Sequence, residues 1–252
     1  LKKSSNICSA KIGMSMPPTR FHEYIMRFGF GRRSNSGIAA EATGRVISPK
    51  KWQTIDHANI SFGQAILVSP LQMVSAANVF ANEGEWVPPF IVEYAVDKNG
   101  NKLQEIKDVG GKVSHKFGLG VRSRVVEGSV AELVKKYLIS VTQKGGTAQK
   151  AAILGYQVAG KTGTSQIYDQ QLGRYSQTRY IASFVGFAPA SDPLVTVLVV
   201  VEQPRTSIYG GTIAAPIFKE IVQRTLLFKD VLPFPEENSE GTTALLETTV
   251  IQ

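Results

Sequence analysis

Four scarcities in the 252-residue sequence narrow its chemistry before any motif is considered. It has one cysteine, Cys8. An internal disulfide is therefore excluded. With no histidine nearby in sequence to activate it, Cys8 reads as a small buried side chain and not as a nucleophile. Histidine is also scarce: His22, His57 and His115 show no HxxxH or HExxH spacing, so no zinc site or other metal site is expected. Long apolar runs are missing. The longest, Leu198–Val201 with its apolar neighbours, is far too short to span a bilayer. Concentrated charge is missing as well. The formal net charge is +8, but the densest basic run is only "GRRSN", which reads as a solvated face and not as a nucleic-acid patch.

What is present fits a globular chain: 43% hydrophobic and 19% charged residues supply a sizeable core. Apolar spacing predicts a helix over Phe21–Phe30, with Phe21, Tyr24, Ile25 and Phe28 on one face. An irregular stretch follows to about Pro49. Ser69-Pro70-Leu71-Gln72 predicts a capped helix start, with Ser69 and Gln72 forming a capping box and the helix stopping near Gly84. "FIVEYAV" and "KLQEI" read as strands joined at Asn99-Gly100. A second capping box is expected from Ser129 and Glu132, opening a helix with the stripe Val130, Leu133, Val134, Tyr137, Leu138 and Val141 and a stop at Gly145-Gly146. "YQVAGKT", "RYIASFVGFAP" and "LVTVLVVVEQ" then read as three successive strands, hence an antiparallel sheet. The third is apolar on both faces, which predicts a central position. A helix over about Ile213–Phe228 follows, with Pro216 placed in its first turn. The acidic stretch after Pro233 carries no pattern and is expected to be mobile, leaving residues 1–232 as one domain and 233–252 as a tail.

Gly155–Thr162, "GYQVAGKT", matches the phosphate-cradle pattern G-x-x-x-x-G-K-[ST] letter for letter. That cradle needs a preceding strand and a helix beginning at the Lys-[ST], whose amides hold the anion. Here the would-be loop reads as strand, and "GTSQIYDQQLGRYSQT" carries no apolar stripe for a helix. The match is fortuitous, and no nucleotide cofactor is expected. The same residues contain Lys161-Thr162-Gly163, a triplet used by serine acyl-transfer enzymes, placed here at a strand end. Lys161 then faces a cleft, Thr162 and Thr164 alternate with it, and Gly163 lets a substrate backbone approach. Near the start, Ser4-Ser5-Asn6 fits the S-x-N element that accompanies the triplet, although Ser and Asn are equally at home as helix caps.

Taken in order, "SSN … FGFG … SFGQAILVSPLQM … GYQVAGKTGT … RYIASFVGFAPA … VVVEQP … YGGTIAAPIF" resembles the transpeptidase domain of class B penicillin-binding proteins, the division-specific branch above all, over about residues 1–228. The resemblance implies an α/β fold of the penicillin-binding and serine β-lactamase-like kind, with an antiparallel sheet flanked by helices and a mostly helical subdomain. It implies a D,D-transpeptidase that cross-links peptidoglycan stem peptides ending in D-Ala-D-Ala through an acyl-enzyme, is acylated by β-lactams, and uses no cofactor. It carries roles onto matching positions: Ser4 as proton shuttle, Asn6 as substrate-binding amide, Lys161 as the triplet lysine, Thr162 and Thr164 as carboxylate binders with Gly163 between them, the Thr164 amide as an oxyanion donor, and Tyr209-Gly210-Gly211 in packing. Implied partners are division or elongation membrane proteins, including a glycosyltransferase. The implied place is the outer face of the cytoplasmic membrane, with the exporting and anchoring segment upstream of residue 1.

One family element is not found in the expected order. The attacking serine of S-x-x-K precedes S-x-N in the family. The sole match here, Ser48-Pro49-Lys50-Lys51, follows it and reads as chance. The chain therefore reads as the C-terminal portion of a transpeptidase, inactive on its own. A β-lactam hydrolase or sensor of the same fold, a catalytically dead peptidoglycan-binding domain and a nucleotide-binding protein are the rival readings.

Overall fold

Three strands and three helices build the layer that carries the site. The computed structural model describes residues 1–233 except 35, 39, 104, 108, 112 and 117–119; the predicted acidic tail lies beyond the described residues. The early helices are α1 (Asn6–Met14), α2 (Pro18–Arg27), α3 (Thr54–Ile60) and α4 (Pro70–Ala81). Three short antiparallel ribbons follow: β1 (Glu85–Trp86) with β6 (Ser123–Arg124), β2 (Ala95–Val96) with β3 (Lys102–Leu103), and β4 (Glu105–Lys107) with β5 (Val113–Lys116). Helix α5 (Gly128–Thr142) leads into the main sheet of β7 (Ala159–Asp169), β8 (Arg174–Ala188) and β9 (Val195–Glu202), and α6 (Gly210–Phe228) closes the described fold. Both sheet pairs are antiparallel, in the order β7-β8-β9.

Burial explains this layering. Residues Phe184 and Val199 on one face of the sheet pack on Ala214, Phe218, Val222 and Leu226 of α6; the Phe184 and Phe218 rings meet edge to face at 4.8 Å. On the opposite face Ala159, Phe187 and Ala190 pack against Phe80 and Ala81 of α4 and Leu138 and Ile139 of α5. The sheet is thus enclosed between α6 and the α4–α5 pair, which buries both of its apolar faces.

Several local expectations hold. Ser69 Oγ accepts from Gln72 N at 3.1 Å and Ser69 N donates to Gln72 Oε1 at 3.0 Å, so the capping box opens α4 as the sequence predicts. The β2–β3 hairpin turns through Asn99-Gly100, with Gly100 at φ 83° and Asp97 Oδ1 accepting from Asn99 N and Asn101 N.

Others are corrected. Strand β9 is an edge of the three-stranded sheet, not its centre; it is apolar on both faces because α6 covers one side and α4 the other, where Thr196 Oγ1 donates to Asn78 Oδ1 at 2.8 Å. "FIVEYAV" contributes only Ala95–Val96 to a strand. Helix α5 starts at Gly128 with Glu127 at its cap and no side-chain cap bond, so Ser129 lies inside the helix and the second capping box does not form. Its stripe divides: Val141 is buried, whereas Val130, Leu133 and Tyr137 are exposed. Helix α6 begins three residues earlier than expected, which puts Pro216 inside it, where it has no N–H to donate to the Thr212 carbonyl one turn back. Cys8 is exposed on α1, not buried.

Candidate active site

Lys161 lies third in β7, an eleven-residue strand, and not at a strand end as expected. The residues after Gly163 continue as strand to Asp169 and turn back into β8, so Lys161-Thr162 sits inside a strand where a phosphate cradle needs a helix start. Alternation along β7 sends Lys161 and Gly163 to the α4–α5 face and Thr162 to the α6 face, because Ala159 packs on the former and Phe184, the register partner of Thr162, on the latter.

The register also decides where the backbone groups point. A side chain on Gly210, at the start of α6, would strike both Ser183 O and Gly163 O. These two carbonyls therefore lie side by side in the ladder between β7 and β8. Thr162 and Thr164, each one residue removed from Gly163, present their N–H and C=O to the other edge of β7, which has no partner strand among the described residues. The bond from Lys161 Nζ to Thr162 O, 2.9 Å, runs along that open edge. Thr164 is exposed there. An edge of this kind offers free amides to a bound acyl group or peptide.

The N-terminal segment forms the opposite wall. Ser4 stands in a turn closed by its N–H to Leu1 O at 3.0 Å, in a left-handed conformation (φ 51°) that a serine adopts only when its surroundings impose it. Ser5, not Ser4 or Asn6, caps α1, its Oγ accepting from Cys8 N at 3.3 Å. The helix cap thus falls to Ser5, which leaves the Ser4 hydroxyl and the Asn6 amide outside the cap. Asn6 is the first residue of α1, not a loop residue, and is exposed; its side chain makes no hydrogen bond among the described residues.

Lys161 Nζ donates to Ser4 Oγ at 2.6 Å, joining two motifs 157 positions apart. Its weaker contact with Thr162 Oγ1 is 3.5 Å. All of these acceptors are neutral oxygens. Burial without a counter-charge pushes the Lys161 ammonium down from 10.5 to about 8. At pH 7 about one such group in ten is already neutral, so a proton leaves or returns to Lys161 at little cost. Lys2 and Lys3 run past Gly145, with Lys3 Nζ 3.9 Å from where a Gly145 side chain would begin, and add positive charge to the rim.

Two neighbours of this site were not marked by any sequence motif. Thr147 Oγ1 lies 3.1 Å from Thr162 Oγ1. Ser183 Oγ lies over Gly163, occupying the space a side chain there would need. Thr147 follows Gly145-Gly146, which the pattern explains as a helix stop, and Ser183 sits in the middle of an apolar strand; only register and tertiary contact reveal them. The glycines of Tyr209-Gly210-Gly211 seat α6 on the sheet: Gly210 touches Ser183 O and Gly163 O, and Gly211 touches Thr147 O. Ser48 caps a short 3-10 turn, Pro49–Lys51, that packs on α2.

Comparison with known proteins agrees with this fold. The profile of the family described as "Penicillin binding protein transpeptidase domain" matches residues 1–223. The chain is 32% identical over 234 residues, 92% of its length, to the "Probable peptidoglycan D,D-transpeptidase PenA" of Neisseria flavescens, and spans 52% of that protein. It is 32% identical to "Peptidoglycan D,D-transpeptidase FtsI" of Buchnera aphidicola, with 92% of this chain and 38% of that protein covered. Among solved structures, penicillin binding protein 3 of Mycobacterium tuberculosis complexed with ampicillin superposes with a TM-score of 0.84 at 28% identity, over 94% of this chain and 52% of that one. The apo transpeptidase domain of Burkholderia pseudomallei penicillin-binding protein 3 does so with a TM-score of 0.75 at 33% identity, over 92% and 64%. The chain thus spans about half the length of the first of these relatives and less of the second.

Proposed function

The chain belongs to the penicillin-binding protein transpeptidase family, and from that premise we propose that it is the part of a serine D,D-transpeptidase that handles protons and binds substrate. The whole protein takes a peptidoglycan stem peptide ending in D-Ala-D-Ala, forms an acyl-enzyme with loss of the terminal D-Ala, and passes the acyl group to an amine on a neighbouring strand. β-Lactams acylate the same serine. Residues 1–232 act as one domain. The attacking serine and its lysine are assigned to an S-x-x-K element outside these 252 residues, so this chain alone takes no covalent label.

The observation that carries the reading is the 2.6 Å bond from Lys161 Nζ to Ser4 Oγ at the open edge of β7. With Lys161 donating, the Ser4 hydroxyl keeps its own hydrogen for the leaving amine and takes a replacement from the ammonium; the resulting amine recovers the proton when the acceptor attacks. The lowered proton affinity of Lys161 makes both directions accessible near neutral pH. Thr162 and Thr164 hydroxyls hold the terminal carboxylate beside the ammonium. The Thr164 N–H, directed out of the unpaired edge, donates to the oxyanion of the tetrahedral intermediate, a contact of the kind whose loss costs roughly 10²–10³ in rate. Gly163 keeps the edge clear for the substrate backbone, and the Asn6 amide holds a peptide group of the donor strand. The protein works at the outer face of the cytoplasmic membrane with division or elongation proteins, a glycosyltransferase among them.

The test is labelled-penicillin binding to the full-length protein and to its Lys161→Ala variant. Loss of labelling in the variant is expected. Labelling at the unchanged rate refutes the role given to Lys161, and a stable adduct on Ser4 in the 252-residue chain refutes the assignment of the nucleophile elsewhere.

A further inference from the structure

The hydroxyl chain that begins at Ser4 does not end at Thr162. Lys161 Nζ touches Ser4 Oγ and Thr162 Oγ1, and Thr162 Oγ1 in turn lies 3.1 Å from Thr147 Oγ1. Thr147 is held from both sides. Its carbonyl lies against Gly211 so closely that any side chain there would collide with it. The next residue, Ala148, is fully buried and donates its N–H to Val141 O at 3.0 Å. The backbone that carries the Thr147 hydroxyl is therefore placed by the fold.

The direction of the Thr147–Thr162 bond follows from the donor inventory. A threonine hydroxyl has one hydrogen and two lone pairs, an ammonium only donates, and a carboxylate only accepts. When Thr162 gives its single hydrogen to a bound carboxylate, it has none for Thr147. The bond between them then exists only if Thr147 is the donor. Lys161, at 3.5 Å, approaches the same oxygen as a second donor. Two hydrogens directed at Thr162 Oγ1 leave its own hydrogen to point outward and polarise it, which strengthens the outgoing bond.

We propose that Thr147 is a positioning and specificity residue: its hydroxyl donates to Thr162 Oγ1 and thereby commits the Thr162 hydrogen to the ligand, where its bond to a carboxylate is stronger than its bond to an uncharged carbonyl. The proposal rests on the reading of Thr162 as a carboxylate binder. It extends that reading to a residue on a different element, the turn after α5, and gives it a chemical consequence, discrimination of an acid from its uncharged amide.

The experiment measures equilibrium binding of N-acetyl-D-alanine and of N-acetyl-D-alaninamide to the full-length protein, so that no acylation is needed. Thr147→Val keeps the branching and volume and removes the donor; Thr147→Ser keeps the donor. The acid is expected to bind about 5- to 10-fold more weakly to the Val variant, the loss of one hydrogen bond reinforced by charge. The amide, whose carbonyl accepts the same hydrogen without a charge, is expected to weaken by no more than about 2-fold, and the Ser variant to retain the preference for the acid. If the Val variant does not fold, Thr147→Ala carries the same expectation without the added methyl contacts. Equal weakening of both ligands indicates loosening of the turn and overturns the proposal, as does an unchanged acid preference or a wild type with none. Failure of the transpeptidase reading is separate: it would show as absence of penicillin labelling in the wild type while the acid preference and its dependence on Thr147 persist.

Discussion

Lys161 is a half-buried cation whose three contacts are neutral oxygens, and its stability cost has a defined pH signature. Its proton affinity falls from 10.5 to about 8 on folding because burial penalises the charge. Below pH 8 the lysine is charged in both states, and the full cost of burying that charge opposes folding. Between pH 8 and 10.5 the folded protein has released the proton while the unfolded chain still holds it, so stability rises with pH. Above 10.5 both states are neutral and the cost is gone. At about 1.4 kcal/mol per pH unit the whole span is worth about 3 kcal/mol. Solvent reaching the part-exposed ammonium reduces that to about 2 kcal/mol. Replacing Lys161 by Met removes the titration with little change in length. Urea unfolding of the 252-residue chain and its Lys161→Met variant at intervals from pH 7 to 10.5 isolates the effect, since all other groups cancel in the difference. The wild type is expected to gain about 2 kcal/mol relative to the variant across this range, or about 4–8 °C in Tm for a chain of this size. A difference that stays constant, or that moves in favour of the variant as pH rises, refutes the reasoning that burial sets the lysine's proton affinity.

Three further outcomes rest on individual contacts. Ser4→Ala removes an oxygen that accepts from the charged form of Lys161, so the lysine should titrate still lower than about 8, as read from its ε-carbon chemical shift against pH. Gly210→Ala drives a methyl group into Ser183 O and Gly163 O and should cost about 3 kcal/mol of stability by chemical denaturation, more than an ordinary surface substitution because the helix must move off the sheet. Gln72→Leu removes the capping box and strands the carbonyls of Arg32 and Thr43, which accept from Gln72 Nε2 at 2.8 and 2.9 Å; an expected loss of about 2–4 kcal/mol is checked by urea unfolding.

Gln72 illustrates what a local pattern conveys and what it omits. Its capping role depends on residues three apart and is legible in Ser69-Pro70-Leu71-Gln72. Its bonds to Arg32 and Thr43, 40 and 29 residues away, are not. Strand β9 is the converse case. Its two apolar faces are plain in the sequence and predict a central strand, but apolar faces report cover by helices as well as by strands, and here α4 and α6 supply it. Pro216 misleads for a related reason: a proline's local cost argues for the first turn, yet Gly210 and Gly211 must dock against the sheet, and starting the helix there carries Pro216 into its interior. Cys8 shows the weakness of composition, since cysteine is often buried but α1 turns this one outward.

Local pattern carries the residue types and their order: an S-x-N, a Lys-Thr-Gly-Thr on an extended segment with no helix behind it, three successive strands and a closing helix. These rest on period, capping and turn chemistry, which act over a few residues and so are written locally. Only the folded structure brings Ser4 and Lys161 to 2.6 Å, half-buries Lys161 without a counter-charge, and sets Thr162 beside Thr147 with the backbone groups of Thr162 and Thr164 along an open edge. Distance, burial and strand register are properties of segments brought together from opposite ends of the chain, and no spacing within a single segment encodes them.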